Sequence, residues 1–263
     1  MIPTRFAYEA PGSAEDVVAI LDGAAEPRVL AGGTWVVPEL GSGVSRPDVV
    51  VDLRRAGLGA ITEGEGTVVV GATATYADLI GSALVRERLP LLHEMAGGIT
   101  GGWAIRGQGT IGGSLAAARP QSDVPAVLVA LGAVAHVASA AGRRAVPVGG
   151  LLAGPMRTGL ARGELLTALE LPVQTGTHGY VKLKRGASSW PIATAAAVAQ
   201  DGVLTRLVLG GVAGTPVEVE VESEDGTPTE IDDPWDDELA PASYRVAVAA
   251  PLAARARRKA IGG

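Results

Sequence analysis

Two glycine-bearing segments hold the residues best suited to chemistry in this sequence. Ala31-Gly32-Gly33-Thr34-Trp35 follows an apolar run, Val29-Leu30-Ala31, that reads as a buried strand. Gly109-Thr110-Ile111-Gly112-Gly113-Ser114 lies far downstream. Adjacent glycines let a backbone turn so that several N–H groups face one concavity, an arrangement suited to anionic phosphate oxygens. Thr34, Thr110 and Ser114 add hydroxyl donors. Brought together, two such loops would hold a pyrophosphate from two sides. A lone Gly-Gly pair is more often a structural turn, so the expectation rests on the two occurring together.

Other chemistries fail on context. Gly107 to Gly112 matches G-x-G-x-x-G, but no clear strand precedes it and Pro120 cuts the helix that follows. No acidic residue lies about 20 positions on, so a Rossmann site is not expected. Gly112-Gly113-Ser114-Leu115-Ala116 resembles a nucleophile elbow only distantly, since its last position is Ala and no acid–base partner is identifiable. His93, His136 and His178 are scattered without ligand spacing, and His93-Glu94 lacks the second histidine of a zincin. They read as structural histidines, and no metal site is expected. The chain has no cysteine, which excludes disulfides, thiolate nucleophiles, zinc–thiolate sites and any iron–sulfur cluster ligated here.

The elements that must position these loops alternate between helix and strand signals. Ser13 with Asp16 resembles a capping box that opens a helix through Val17, Val18, Ile20 and Leu21. Val49–Asp52 and Thr67–Val70 read as strands, Thr75 caps a helix carrying Leu79 and Ile80, and Pro90 starts another. The stretch from Val124 to Gly142 is the most membrane-like, but Pro125, Gly132 and His136 interrupt it, so a buried helix followed by a strand is expected rather than a span. After a strand at Leu165–Leu171 a Gly/Thr-rich joint, residues 174–177, marks a change. Beyond it Gly179–Lys184, Ala193–Gln200 and Val203–Leu209 read as strands, the last two joined by the turn pair Asp201-Gly202. An Ala/Arg-rich helix runs from about Pro241 to Ala260.

A chain of 263 residues that is 47% hydrophobic and 19% charged is globular rather than disordered. With nine aromatics against 37 glycines, its core must be built of Ala, Val and Leu. The net charge of −6 conceals a segregation: eleven acidic residues and no basic one fall between Glu218 and Glu238. That run reads as a solvated acidic loop of β-like character, or alternatively as a dock for a basic partner. The basic cluster Arg255, Arg257, Arg258 and Lys259 has no aromatic interleaving, so no nucleic acid is expected. The N-terminus lacks an apolar signal core, and a cytoplasmic location is expected.

In this order and spacing the loops resemble the FAD-binding (medium) subunit of the molybdenum hydroxylases, the carbon monoxide dehydrogenase and xanthine dehydrogenase family. Ala31-Gly32-Gly33-Thr34-Trp35-Val36-Val37-Pro38 is similar to that family's first loop. Ile105-Arg106 through Leu115, then Pro120 and Asp123, is similar to its second. Further resemblances lie at Gly163–Thr167 with Leu171-Pro172, Tyr180–Leu183 with Ala187–Trp190, Gly210–Ala213 and Tyr244-Arg245. Gly107 stands where relatives have Asn, Ala117 where many have His, Arg119 where many have an acid, and Trp35 where a small residue is common.

The resemblance implies an α+β chain: a two-subdomain FAD-binding fold of the vanillyl-alcohol-oxidase (PCMH) type followed by a small α+β C-terminal domain. The boundaries fall at residues 1–174 (subdomains about 1–55 and 56–174) and 175–263. It implies that Ala31, Gly32, Gly33, Thr34 and Trp35, with Thr110, Ile111, Gly112, Gly113 and Ser114, cradle the FAD pyrophosphate, and that Val29, Leu30 and Val36 belong to the cofactor site. Asp123 would accept hydrogen bonds from the cofactor and Leu166 would pack near it. Lys182 would sit by the isoalloxazine and Trp190 would stack there. No catalytic residue of the chain's own is implied. The partners implied are an iron–sulfur subunit that delivers electrons and a molybdopterin subunit that oxidises substrate, with NAD, a quinone or oxygen as acceptor. Two competing readings share the fold: a free-standing FAD-dependent enzyme acting on a small molecule, and a scaffold that no longer binds flavin.

Overall fold

Local capping and turn chemistry sets where the elements begin. In a computed structural model, which describes residues 2–220 and 231–262, Ser13 accepts from the Asp16 amide at the start of helix α1 (Ala14–Gly23). Strands β1 (Ala7–Glu9), β2 (Pro27–Leu30) and β3 (Val49–Asp52) form a small parallel sheet in the order β1-β3-β2. The strand before the first glycine loop thus ends at Leu30 and is half-buried, because β3 covers one edge and the glycine loop leaves the other end open. Helix α2 (Val36–Ser42) follows that loop and stops at Gly43, whose φ of +73° no other residue type adopts as readily.

A five-stranded antiparallel sheet comes next. Its strands are β4 (Ile61–Glu63), β5 (Thr67–Gly71), β6 (Val134–Ser139), β7 (Gly142–Pro147) and, after the short hairpin of β8 (Leu152–Gly154) and β9 (Arg157–Thr158), β10 (Leu165–Pro172). The order is β4-β5-β10-β6-β7. Six helices separate β5 from β6. Thr75 closes a full capping box on α3 (Tyr76–Gly81), Ser82 caps α4 (Ala83–Arg88), and Pro90 opens α5 (Pro90–Gly97). Then come α6 (Gly102–Gln108), α7 (Ile111–Ala117) and α8 (Asp123–Ala130). Every residue of α8 is buried, so the most apolar stretch of the sequence is a core helix leading into β6. No helix among the described residues is long and apolar enough to cross a membrane. The G-x-G-x-x-G match is preceded by a helix, α6, and not by the strand a dinucleotide fingerprint needs.

The last sheet is antiparallel: β11 (Thr177–Lys184), β12 (Pro191–Gln200), β13 (Val203–Gly210) and β14 (Val217–Glu218) in chain order. Asp201 and Gly202, with φ of +52° and +77°, turn the β12–β13 hairpin. After the one-turn helix α9 (Val148–Leu151), which supports β6 and β7, the remaining helix is α10 (Ala242–Ile261). The alanines of β12 follow from its double burial. Ala193, Ala195, Ala197 and Ala199 meet α10, while Ala196 joins the core around α8. Side chains this small let the helices approach: a methyl on Gly179 would stand 2.0 Å from the Ala256 carbonyl oxygen. Arg245, fully buried on α10, donates to the carbonyls of Ile192, Gly211 and Ala240 and pairs with Asp237, which pins the helix start to the sheet. The middle of the acidic run, 221–230, expected to be β-like, lies outside the described residues; its beginning is the end of β14.

Candidate functional site

The two glycine loops meet. Residue 32 lies against the backbone of Gln108, where an added Cβ would stand 1.8 Å from the carbonyl oxygen. Gly33, at φ +71°, turns the chain into α2, and its carbonyl accepts from the Val37 amide. The amides of Gly32, Gly33, Thr34 and Trp35 find no acceptor among the described residues. Four adjacent unmatched donors at the mouth of a cleft constitute an anion-binding surface.

The second loop is built differently, with the amides from Ile111 to Ser114 already bonded within the chain. Ile111 and Gly112 donate to the carbonyls of Ala74 and Ala72, both at 3.0 Å, and Gly113 donates to the Thr110 hydroxyl at 3.1 Å. Ser114 donates its amide to the Thr110 carbonyl, and its hydroxyl is bonded to that of Tyr76. Gly112 is required because a Cβ there would stand 2.5 Å from the Ala72 oxygen. This loop therefore anchors a wall, while the first supplies the free donors.

Together they border a cleft of about 650 Å³, within the span of roughly 300–1,000 Å³ typical of small-molecule sites. Of the residues expected at the site, Val29, Ala31, Gly32, Gly33, Thr34, Trp35, Val36, Thr110, Gly112, Gly113, Ser114 and Leu166 line it. Leu30 and Ile111 do not. Ile111 is fully buried behind the loop, and Leu30 packs against Gly33.

Asp123, Lys182 and Trp190 also lie outside the cleft wall. Lys182 Nζ pairs with Asp123 Oδ1 at 2.6 Å and donates to the Gly98 carbonyl at 2.8 Å, and the Tyr180 hydroxyl donates to the same Asp123 oxygen. Burial, reinforced by the Asp123 carboxylate, pushes the Tyr180 phenol well above its ordinary value, so it is a hydrogen-bond donor at neutral pH. Trp190, on the loop between β11 and β12, stacks on Trp35 with ring centroids 5.2 Å apart and a 36° tilt.

The sequence reading missed a charged group in the cleft. Arg28 on β2 pairs with Glu39 on α2, and Glu39 also faces Arg119, whose Nη2 lies 3.5 Å from its other oxygen. The Arg119 guanidinium lies 3.6 Å from the centroid of the Trp35 ring, so Trp35 contacts both Arg119 and Trp190. Burial and the nearby Arg28 lower the Arg119 value from the usual arginine range, with Glu39 opposing them. Glu164 also lines the cleft, but Arg144 grips both its oxygens at 2.6 Å and holds it below the usual carboxylate range. Arg28 and Arg119 share the single carboxylate of Glu39, which leaves the cleft with a positive bias.

These features fit a dinucleotide such as FAD. The free amides and Thr34 suit a diphosphate, the missing Cβ atoms let the two loops close on each other, and the apolar wall of Val29, Leu53, Leu165 and Leu166 suits a planar purine.

Comparison with known proteins agrees. Residues 4–174 match the family described as FAD binding domain in molybdopterin dehydrogenase. The carbon monoxide dehydrogenase medium chain of Afipia carboxidovorans is 36% identical, over 99% of this chain and 98% of that one. Among solved structures, carbon monoxide dehydrogenase from Hydrogenophaga pseudoflava superposes with a TM-score of 0.91 at 32% identity, covering 99% of this chain and 98% of that one. Quinoline 2-oxidoreductase from Pseudomonas putida 86 gives a TM-score of 0.91 at 28% identity, covering 100% and 99%.

Proposed function

The chain belongs to the family of FAD binding domains in molybdopterin dehydrogenases, and from that membership we propose that it is the FAD-carrying medium subunit of a molybdenum hydroxylase complex of the carbon monoxide dehydrogenase type. In this reading it takes electrons from an iron–sulfur subunit, while a molybdopterin subunit oxidises the substrate. It passes the electrons to NAD, a quinone or oxygen. The division at about residue 174 separates the FAD-binding part from the C-terminal domain, and the complex is cytoplasmic.

The observation that carries the proposal is the meeting of the two glycine loops around four free amides. When bound, FAD supplies the redox chemistry, exchanging one or two electrons. The chain supplies position. Gly32 to Trp35 hold an anion, Gly112 lets α7 close against the stretch after β5, and Leu166 with its apolar neighbours excludes water. The lack of cysteine supports the division of labour, since a thiolate-ligated cluster has to reside on another chain.

The test mixes the FAD-loaded full chain with its iron–sulfur subunit, reduced by dithionite and freed of excess, under anaerobic conditions. Loss of the oxidised flavin absorbance in proportion to added reduced subunit is expected. A flavin that stays oxidised would contradict the proposed electron path.

A further inference from the structure

Arg119 is a cation of the cleft wall whose side-chain donors make no hydrogen bond among the described residues, although a guanidinium offers five N–H groups. Its contacts are the face of Trp35, at 3.6 Å, and a loose approach of 3.5 Å to Glu39. Glu39 is already engaged by Arg28 through its other oxygen, so one carboxylate is shared between two cations.

The side chain is also held in place. It sits three-quarters shielded over the ring of Trp35, which itself packs against Trp190. A non-glycine residue, Ala118, takes a φ of +43° immediately before it, with its carbonyl fixed by the Met156 amide at 2.8 Å. A guanidinium held in place with its donors facing the cleft meets an arriving anion with little further ordering. The four free amides of Gly32 to Trp35 line the same cleft.

We propose that Arg119 is the side-chain cation that binds the diphosphate of the cofactor, with Trp35 and Glu39 as the braces that hold it ready. This rests on the FAD reading above and extends it from backbone donors to a charged one. Arg is suited to the role because its planar fork meets phosphate oxygens in pairs.

The test titrates the cofactor-stripped full chain with FAD and with ADP at several ionic strengths, comparing wild type, Arg119→Met and Arg119→Lys. A charge-assisted hydrogen bond lost on Arg119→Met should weaken both ligands by roughly 10- to 100-fold and flatten the salt dependence of binding. Arg119→Lys keeps the charge without the fork, so it should retain the salt dependence and lose only part of the affinity. It also keeps the test open if the Met variant fails to fold.

Wild-type affinity in Arg119→Met, or weakened binding with the salt dependence intact, overturns the proposal and leaves Arg119 as a brace for Trp35. Wild-type protein that binds neither FAD nor ADP overturns the underlying FAD reading, and the Arg119 assignment with it.

Discussion

A methyl group on Gly32 would stand 1.8 Å from the carbonyl oxygen of Gln108, so the first loop reaches the second only because residue 32 has no side chain. The contact is backbone to backbone, and neither partner can give way as a flexible side chain could. Gly32→Ala should therefore force the loops apart, at a cost of about 1–3 kcal/mol in stability and about 10-fold or more in FAD affinity. Gly41, which has nothing within 4 Å of its would-be Cβ, provides the control. Gly41→Ala in helix α2 should raise stability by about 0.5–1 kcal/mol and leave FAD binding unchanged. Urea unfolding and FAD titration of both variants check this pair.

Lys182 on β11 is joined to Asp123 at the first turn of α8, and both are largely buried. Removing one partner leaves a charge without compensation. Asp123→Ala should cost about 3–5 kcal/mol, and adding Lys182→Met should recover part of that loss. The coupling is read from a double-mutant cycle in urea. Strictly additive costs would show that the pair contributes nothing beyond its separate packing.

Ala118 occupies the left-handed region at the end of α7. That conformation costs an L-residue roughly 1–2 kcal/mol, while glycine loses about 0.4–1 kcal/mol more backbone entropy on folding. Ala118→Gly should thus gain about 0.5–1 kcal/mol, a rise in Tm of about 2 °C. A lower Tm would mean that the Ala118 methyl packs more favourably than its backbone is strained.

Glu94 on α5 is bonded to His178 on β11 at 2.9 Å, and that hydrogen bond holds its carboxyl below the usual value, against the opposing effect of burial. A lowered carboxylate value stabilises the fold above the unfolded glutamate value of about 4.3 and is lost as the pH falls through the lowered one. Glu94→Gln should flatten the acid limb of a Tm-against-pH curve. Because the pair is half-exposed, the effect should stay under about 1 kcal/mol. An acid limb as steep as that of the wild type would remove Glu94 from the account.

Much of this was readable in the chain because it is governed by local chemistry. Ser13, Thr75 and Pro90 start helices, and Asp201-Gly202 turns a hairpin, through interactions a few residues long. The glycine loops were visible for the same reason. Which of their amides remain free was not, because Ile111 and Gly112 donate to carbonyls beyond the end of β5, nearly forty residues upstream. Helix α6 escaped notice because its glycines give it poor propensity and its apolar residues, Trp103 and Ile105, face outward. Arg28, Glu39 and Arg119 come from three separate segments, and no spacing announces that the fold stacks them beside Trp35. That Asp123 and Lys182 pair with each other is not legible in the chain, because they lie on α8 and β11, far apart in sequence.

The most direct test of the FAD assignment is the cofactor content of the purified full chain, read from its visible spectrum and by releasing and identifying the flavin, before and after adding FAD. The account predicts one FAD per chain and a flavin absorbance that Gly32→Ala diminishes. A colourless protein that takes up no FAD, alone or assembled with its partner subunits, would contradict it and favour a scaffold of the same fold.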